Sequence, residues 1–191
     1  MTRIKYVLAL AATLALGACY PPITTHPVGT TAGLKLDPVL SGTWKGTNSD
    51  LKPFYMHFLQ QSDGTLVVVI VETGPKAEDW TVVTATTATL GANHYMNAQL
   101  QWTNGKPENA PSGTVPVLYR MDAKGTLTFL LPDEKTVKDA IAAGRIKGWT
   151  EKGDLGDATI TADPKALDAY FAAAGAAKLY LNPLFTVHKV D

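Results

Sequence analysis

The sequence predicts a mainly β domain, an antiparallel β-barrel of about 8–10 strands with two short helices in the C-terminal half. From Leu40 onward, apolar and polar residues alternate with a period of two, which is typical of strands that bury one face and wet the other. Glycine-containing turns such as Asp63-Gly64 separate these runs and favour hairpins. Antiparallel strands in this number tend to close on themselves, because closure removes exposed edges.

The strand starting near His94 shows the alternation best. We expect one face to point into the barrel and the other to meet water. The inward residues are predicted to be His94, Met96, Ala98, Leu100 and Trp102, and the wetted ones Tyr95, Asn97, Gln99 and Gln101. The other predicted strands start at Gly42 and lie at 54–60, 66–73, 80–90, 115–121, 127–131, 146–150, 158–161 and 184–190.

One strand departs from the alternation. Residues 66–71 read LVVVIV and are apolar on both faces. The outer face of this strand therefore needs a cover, either a helix of the same domain or a partner.

Two helices are predicted late in the chain. Asp133 can cap a helix that runs to Ala143. Asp163 and Pro164 start a second helix, in which apolar residues such as Leu167 and Phe171 recur at helical spacing.

Four large side chains are predicted to face the barrel interior: Trp44, Met96, Trp102 and Tyr119. With the small residues Gly46 and Ala98 among them, they could line a cavity for a small hydrophobic ligand. The alternative is that they pack against one another as an ordinary core.

The first predicted strand opens with Gly42-Thr43-Trp44. This Gly-x-Trp resembles the start of lipocalins and fatty-acid-binding proteins, and the likeness implies a lipocalin-like barrel in which Trp44 plugs the closed end. The lipocalin Asn-Phe-Asp lead-in is missing. The last strand carries Lys189 in place of the arginine that covers the tryptophan in that family.

The N-terminus has the pattern of an export signal. Arg3 and Lys5 precede an uncharged run of 11 residues at 6–16, which is too short to span a bilayer. Leu16-Gly17-Ala18-Cys19 then resembles the bacterial lipobox. The resemblance implies cleavage after residue 18, a diacylglycerol on Cys19 and a further acyl chain such as palmitate on its amino group. Cys19 is the only cysteine, so no intramolecular disulfide can form.

We therefore expect three segments: a signal peptide at 1–18, the lipidated Cys19 with a flexible tether at 19–37, and one barrel domain at 38–191. The tether is rich in proline, glycine and threonine and includes His26, which we expect to be solvated. Tyr20 follows the cysteine, and the absence of aspartate there favours the outer membrane, facing the periplasm.

Composition and motifs weigh against several function classes. Removing residues 1–18 takes two of 17 basic and none of 17 acidic residues, which leaves a net charge of −2 and no footprint for nucleic acid. Nucleophile elbows and phosphate loops are absent from the sequence. The histidines at 26, 57, 94 and 188 lack the local spacing of a zinc site. We therefore predict no catalytic residues, no metal and no cofactor, although enzyme activity stays open.

Two functions are compatible with these features. The first is a membrane-anchored envelope lipoprotein that binds a small hydrophobic ligand or lipid in its barrel. The alternative is an envelope interaction protein that binds a protein partner near the outer membrane. The doubly apolar run at 66–71 and the polar loop at 103–113 favour the alternative.

Overall fold

The computed structural model describes residues 21–30, 37–48, 52–73, 80–108, 112–151, 158–174, 176–181 and 183–190. The predicted signal segment and Cys19 lie outside the described residues. The strands in chain order are β1 (Ile23–Thr24), β2 (Thr43–Thr47), β3 (Pro53–Gln60), β4 (Leu66–Glu72), β5 (Trp80–Leu90), β6 (Asn93–Thr103), β7 (Lys106–Pro107), β8 (Val115–Met121), β9 (Thr126–Leu130), β10 (Gly148–Thr150), β11 (Ala158–Ile160) and β12 (Pro183–Lys189). The helices are α1 (Glu134–Ala142), α2 (Pro164–Ala174) and α3 (Ala176–Leu179).

Eight of these strands form a closed antiparallel barrel. Around its circumference the order is β5, β4, β3, β2, β12, β9, β8 and β6, and β6 pairs back with β5. Every neighbouring pair is antiparallel. The predicted barrel is therefore confirmed, and closure leaves none of these eight strands with a free edge.

The barrel has two distinct ends. The plug end carries the hairpin turns β3–β4, β5–β6 and β8–β9, including the predicted Asp63-Gly64 turn, where Gly64 has a φ of 84°. The far end carries the first residues of β5, β8 and β12 and the last residues of β6.

A short turn of 3-10 helix at Pro38–Leu40 closes the plug end. Leu40 and Trp44 are both buried, and the Trp44 indole nitrogen Nε1 donates a hydrogen bond to the Leu40 carbonyl oxygen at 3.1 Å. The Lys189 ammonium lies 5.9 Å from the centre of the Trp44 ring. The lysine thus covers the tryptophan by a cation–π contact. It stands at the position where the lipocalin resemblance would place an arginine.

The barrel interior is a packed apolar core. Trp44, Phe54, Leu127 and Val187 have almost no exposed surface, so no water-sized space adjoins them. Further inward-facing residues in the same cluster are Met56, Phe58, Leu66, Val68, Ile70, Ala85, Met96, Ala98, Val117, Tyr119 and Phe129.

A second layer covers one side of the barrel from outside. A three-stranded sheet with the order β1, β11, β10 and the helices pack over the outer faces of β5, β6, β8 and β9. Both predicted helices are present. Asp133 Oδ1 accepts a hydrogen bond from the Thr136 amide, and Asp163 Oδ1 accepts one from the Ala166 amide, so each aspartate caps its helix. The short helix α3 was not predicted.

This outer layer corrects the prediction for the second face of β6. Tyr95 and Asn97 were expected to meet water, but both are fully buried. The Tyr95 ring contacts the rings of Phe171 and Tyr180, with centroids 6.2 Å apart in each case. Here β6 is buried on both faces because the helices cover its outer side, which period-two alternation cannot reveal.

The described part of the predicted tether also differs from a flexible chain. Within residues 21–30, Val28 is fully buried against the barrel. Its amide donates to Asn97 Oδ1 at 2.8 Å, and Asn97 Nδ2 donates to its carbonyl oxygen at 3.0 Å. The Gly29 amide donates to Asp168 Oδ1 at 2.8 Å. Residues 21–30 are therefore a fixed element of the fold, while His26 is exposed as expected.

We predict opposite effects from removing two buried tyrosine hydroxyls. The Tyr180 hydroxyl donates to the Pro116 carbonyl oxygen at 2.7 Å, whereas the buried Tyr95 hydroxyl has no hydrogen-bond partner among the described residues. Burial also raises the pKa of Tyr95 to about 12.

Tyr180→Phe should lower the free energy of unfolding by about 1 kcal/mol. Tyr95→Phe should leave it unchanged or raise it, because an unpaired buried hydroxyl is destabilising. Urea unfolding measures both, and a larger loss in Tyr95→Phe than in Tyr180→Phe would contradict the prediction.

Candidate functional site

Three of the four predicted ligand-binding residues lie inside the barrel. Trp44, Met96 and Tyr119 belong to the interior cluster and are almost fully buried. Trp102 was also predicted to face inward, and this was wrong, because its side chain is 43% exposed.

A bulge in β6 explains the position of Trp102. Val83 pairs with Leu100 but Val82 pairs with Trp102, so Gln101 is an extra residue in the ladder. An extra residue interrupts the alternation of faces, and the inward series that includes Met96 and Ala98 does not continue to Trp102. The sequence around Gln101 contains no glycine or proline that would have signalled the bulge.

Tyr119 is held by a polar cluster at the plug end. Its hydroxyl donates to Asp37 Oδ2 at 3.0 Å, and His94 Nδ1 lies 3.0 Å from the same oxygen. The other oxygen of Asp37 accepts a hydrogen bond from the Val39 amide at 3.0 Å. Burial, and then the charge and hydrogen bond of Asp37, raise the pKa of Tyr119 far above its usual value. Asp37 therefore fastens the 3-10 turn to β6 and β8.

Aromatic contacts fill the space between the interior candidates. The ring of Phe129 lies 6.1 Å from that of Phe58 and 6.2 Å from that of Tyr119. Gly46 provides no room for a ligand, because a β-carbon added there would lie 2.5 Å from Phe54 Cζ. The Phe54 ring itself occupies the space beside the glycine. The described interior residues around Trp44 and Phe129 are thus closely packed. Toward the far end, the inward residues Val83, Val115 and Phe185 are only partly buried.

The histidines of the strands have separate local partners. His57 Nδ1 lies 3.1 Å from the Thr43 hydroxyl, and His188 Nδ1 lies 3.4 Å from that of Thr126. No group of three histidine, cysteine, aspartate or glutamate side chains suited to a metal ion occurs in the part of the chain that the structure describes.

The outer side of β4 presents an apolar surface, which we call the β4 face and define as Tyr55, Leu59, Val67, Val69, Val71 and Val82. Cross-strand pairing brings these residues together as Tyr55 with Val71, Leu59 with Val67, and Val69 with Val82. Leu59 is 51% and Val71 39% exposed, and the other four are partly exposed.

Polar groups border the β4 face on two sides. The Lys45 ammonium lies 5.7 Å from the centre of the Tyr55 ring on one side. On the other, Gln101 Nε2 donates to the Thr84 hydroxyl at 3.0 Å, while the exposed Trp102 pairs with Val82 and extends the apolar surface toward the far end. An apolar centre with a polar rim is the usual composition of a protein interface.

The run at 66–71 was the sequence signal for this surface. One predicted alternative was a covering helix, but α1 and α2 pack over β6, β8 and β9 instead, in a cluster that contains no β4 residue. The outward valines of β4 thus remain accessible among the described residues.

Comparisons with protein-family models, with curated proteins and with solved structures found no match. Within the described residues, no helix is both long and apolar enough to cross a membrane.

We predict that Asp37 stabilises the plug. Asp37→Ala should lower the free energy of unfolding by about 1–3 kcal/mol, because it leaves the buried Tyr119 hydroxyl and the Val39 amide without their acceptor. Asp139→Ala is the matched control, since Asp139 pairs with Lys135 on the exposed face of α1, and it should change stability by less than about 0.5 kcal/mol. Equal effects in chemical denaturation would show that the plug does not depend on Asp37.

Proposed function

We propose that the chain is a bacterial envelope lipoprotein, lipidated on Cys19 and held at the outer membrane facing the periplasm. We propose further that its barrel binds a protein partner through the β4 face. The observation that carries this function is the β4 face itself, an apolar surface bordered by polar groups on a strand that the described helices leave uncovered.

Close packing around the predicted ligand-binding residues favours a protein partner over a small hydrophobic ligand. A barrel that carries a ligand needs space lined by accessible side chains. Trp44, Met96 and Tyr119 instead contact neighbouring core residues and are almost fully buried. Their packing supports a structural role for all three.

Exposure of the valines supports the partner hypothesis further. On the outer side of a strand, Val67 and Val69 add little to the stability of the isolated fold. Polar residues at these positions would make the protein more soluble. A partner that covers them would remove apolar surface from water and provide the driving force for binding. The partner required is a protein with an apolar patch that can reach the membrane surface.

Lipidation has a direct test. Cells grown with an alkyne fatty acid should incorporate label into the wild-type chain but not into Cys19→Ala. The variant should also keep residues 1–18 and migrate as a larger species. Label that persists in Cys19→Ala would overturn the anchoring proposal.

Photo-crosslinking in cells tests the partner. A photoreactive amino acid at position 59 should give one defined adduct, and the same amino acid at the exposed position 186, on the outer side of β12, should not. In the chain labelled at position 59, Val71→Lys should reduce the adduct about tenfold, since losing one interface anchor costs more than about 1 kcal/mol.

Met121→Lys is the control for charge and folding, because it adds the same charge at an exposed apolar residue of β8, away from the β4 face. It should leave the adduct unchanged. Equal adducts from positions 59 and 186, or no effect of Val71→Lys, would argue against the β4 face.

A further inference from the structure

We propose that the far end of the barrel rests on the lipid surface, with Trp102, Trp149, Leu181 and Leu184 inserted into its interfacial layer. These four residues form the far-end set. The inference rests on the proposed lipidation of Cys19 but not on the identity of any protein partner.

The far-end set consists of large apolar side chains that meet solvent. Trp149 is 49% and Leu181 55% exposed, and Trp102 and Leu184 are also exposed. None of the four belongs to either core cluster of the described residues.

Strand registers place these residues at one end. Trp102 lies next to the last residue of β6 and pairs with Pro107 of β7. Leu184 lies at the start of β12, and Leu181 precedes that strand by two residues. Since β6 ends and β12 begins at the far end, all three lie there.

Trp149, the fourth residue of the far-end set, lies in the small sheet that also contains the first described residues of the chain. Trp149 pairs with Thr159, which in turn pairs with Ile23, so the three share one row of the small sheet. The neighbouring Thr24 exchanges backbone hydrogen bonds with Thr114, just before β8 begins at the far end. Residues 21–24 therefore reach the barrel at the end where the exposed apolar side chains lie.

The spacing between Cys19 and this fixed segment is very short. Only Tyr20 separates Cys19 from Pro21. Two residues of extended chain span about 7 Å at most. A lipid on Cys19 would hold Pro21 within about a nanometre of the headgroups, much closer than a flexible tether of 18 residues, whose span is roughly 25 Å.

The chemistry of the far-end set suits this location. Tryptophan is enriched where a bilayer meets water, because its ring is apolar and its indole N–H can bond to headgroups. Leucine adds apolar surface that the acyl boundary can take up. Charge there is mixed, with Lys106 and Lys147 exposed alongside Glu151. Docking should therefore depend on apolar insertion and persist on zwitterionic lipid.

The plug end lacks this combination. Its exposed apolar residues include Leu59, Met121 and Val190, with no tryptophan among them. The only tryptophan of the described chain at that end is Trp44, which is buried within the plug. The chain comes alongside that end at Thr30, which exchanges backbone hydrogen bonds with Thr89 beside the β5–β6 turn. Thr30 is eleven residues from Cys19 whereas Pro21 is two, so an anchor at Cys19 holds the far end closer to the membrane than the plug end.

Quenching by brominated lipid tests the orientation. The lipidated full-length protein is reconstituted into vesicles of phosphatidylcholine with or without bromine on the acyl chains. We expect a roughly twofold loss of tryptophan emission in the brominated vesicles, because Trp102 and Trp149 are two of the four tryptophans. Trp80 starts β5 at the same end and is partly exposed, so it is replaced as well. The triple variant Trp80→Phe/Trp102→Phe/Trp149→Phe should lose most of that quenching.

A tryptophan moved to the plug end is the matched control. Met121→Trp in the triple variant adds an exposed ring at that end, and its emission should stay unquenched. Strong quenching of this variant would overturn the proposed orientation. Unquenched emission from the wild-type protein in brominated vesicles would also overturn the proposed orientation. Crosslinking of the far end to an envelope protein in cells would not change that conclusion.

Vesicle flotation separates this inference from the proposed anchoring. If the chain with intact Cys19 carries no lipid and does not float with the vesicles, the anchoring proposal fails and this inference fails with it. If the chain is lipidated and floats but shows no quenching, the anchor stands and only the orientation is wrong.

Discussion

Pairing of β5 with β6 is the constraint on which the rest of the structure depends. It turns a row of eight strands into a closed surface, so each side chain of those strands has an inside or an outside position. Inside, the rings of Phe58, Phe129 and Tyr119 pack together with the aliphatic residues of β4. Outside, the same closure leaves a cylindrical surface whose sides can differ. The long ladder between β5 and β6 also tolerates the extra residue Gln101, which turns Trp102 away from the core.

The outside of the barrel is divided into two unlike halves. Helices and a small sheet cover β6 and β8, where Tyr95 and Leu118 are fully buried. On the other half, β4 keeps its valines at the surface. This asymmetry follows from chain order, because β10, β11 and the three helices lie between β9 and β12 and pack against the strands near them. The uncovered half is where the proposed partner would bind.

Much of the barrel could be predicted from local patterns. Alternation located the main strands, Asp63-Gly64 located a hairpin, and the caps Asp133 and Asp163 located two helices, because each of these signals depends on residues close together in sequence. The burial of Tyr95 and Asn97 on the outer face could not be predicted, since Tyr95 packs against Phe171 and Tyr180 and Asn97 bonds to Val28, all more than 60 residues away. The Gln101 bulge carried no local signal.

Only part of the candidate site could be predicted from the sequence. The run at 66–71 indicated an apolar outer face, and the structure shows that face at the surface. Nothing local linked Asp37 with His94 and Tyr119, because the 3-10 turn meets those strands only in the folded barrel. Residues 21–30 have the composition of a loop, and their fixed position comes from partners such as Asn97 and Asp168 that are distant in sequence.

The hydrogen bonds of residues 21–30 also bear on the order in which parts of the chain fold. A chain is made from its N-terminus, so these residues emerge early. Yet Val28 bonds to a side chain 69 residues later and Gly29 to one 139 residues later. Contacts at such separations form late, because the loops between them must close first. We therefore expect the segment next to Cys19 to stay free until most of the domain has folded. Under the proposed lipidation, this would give the modifying enzyme time to reach the cysteine before its neighbours settle against the barrel.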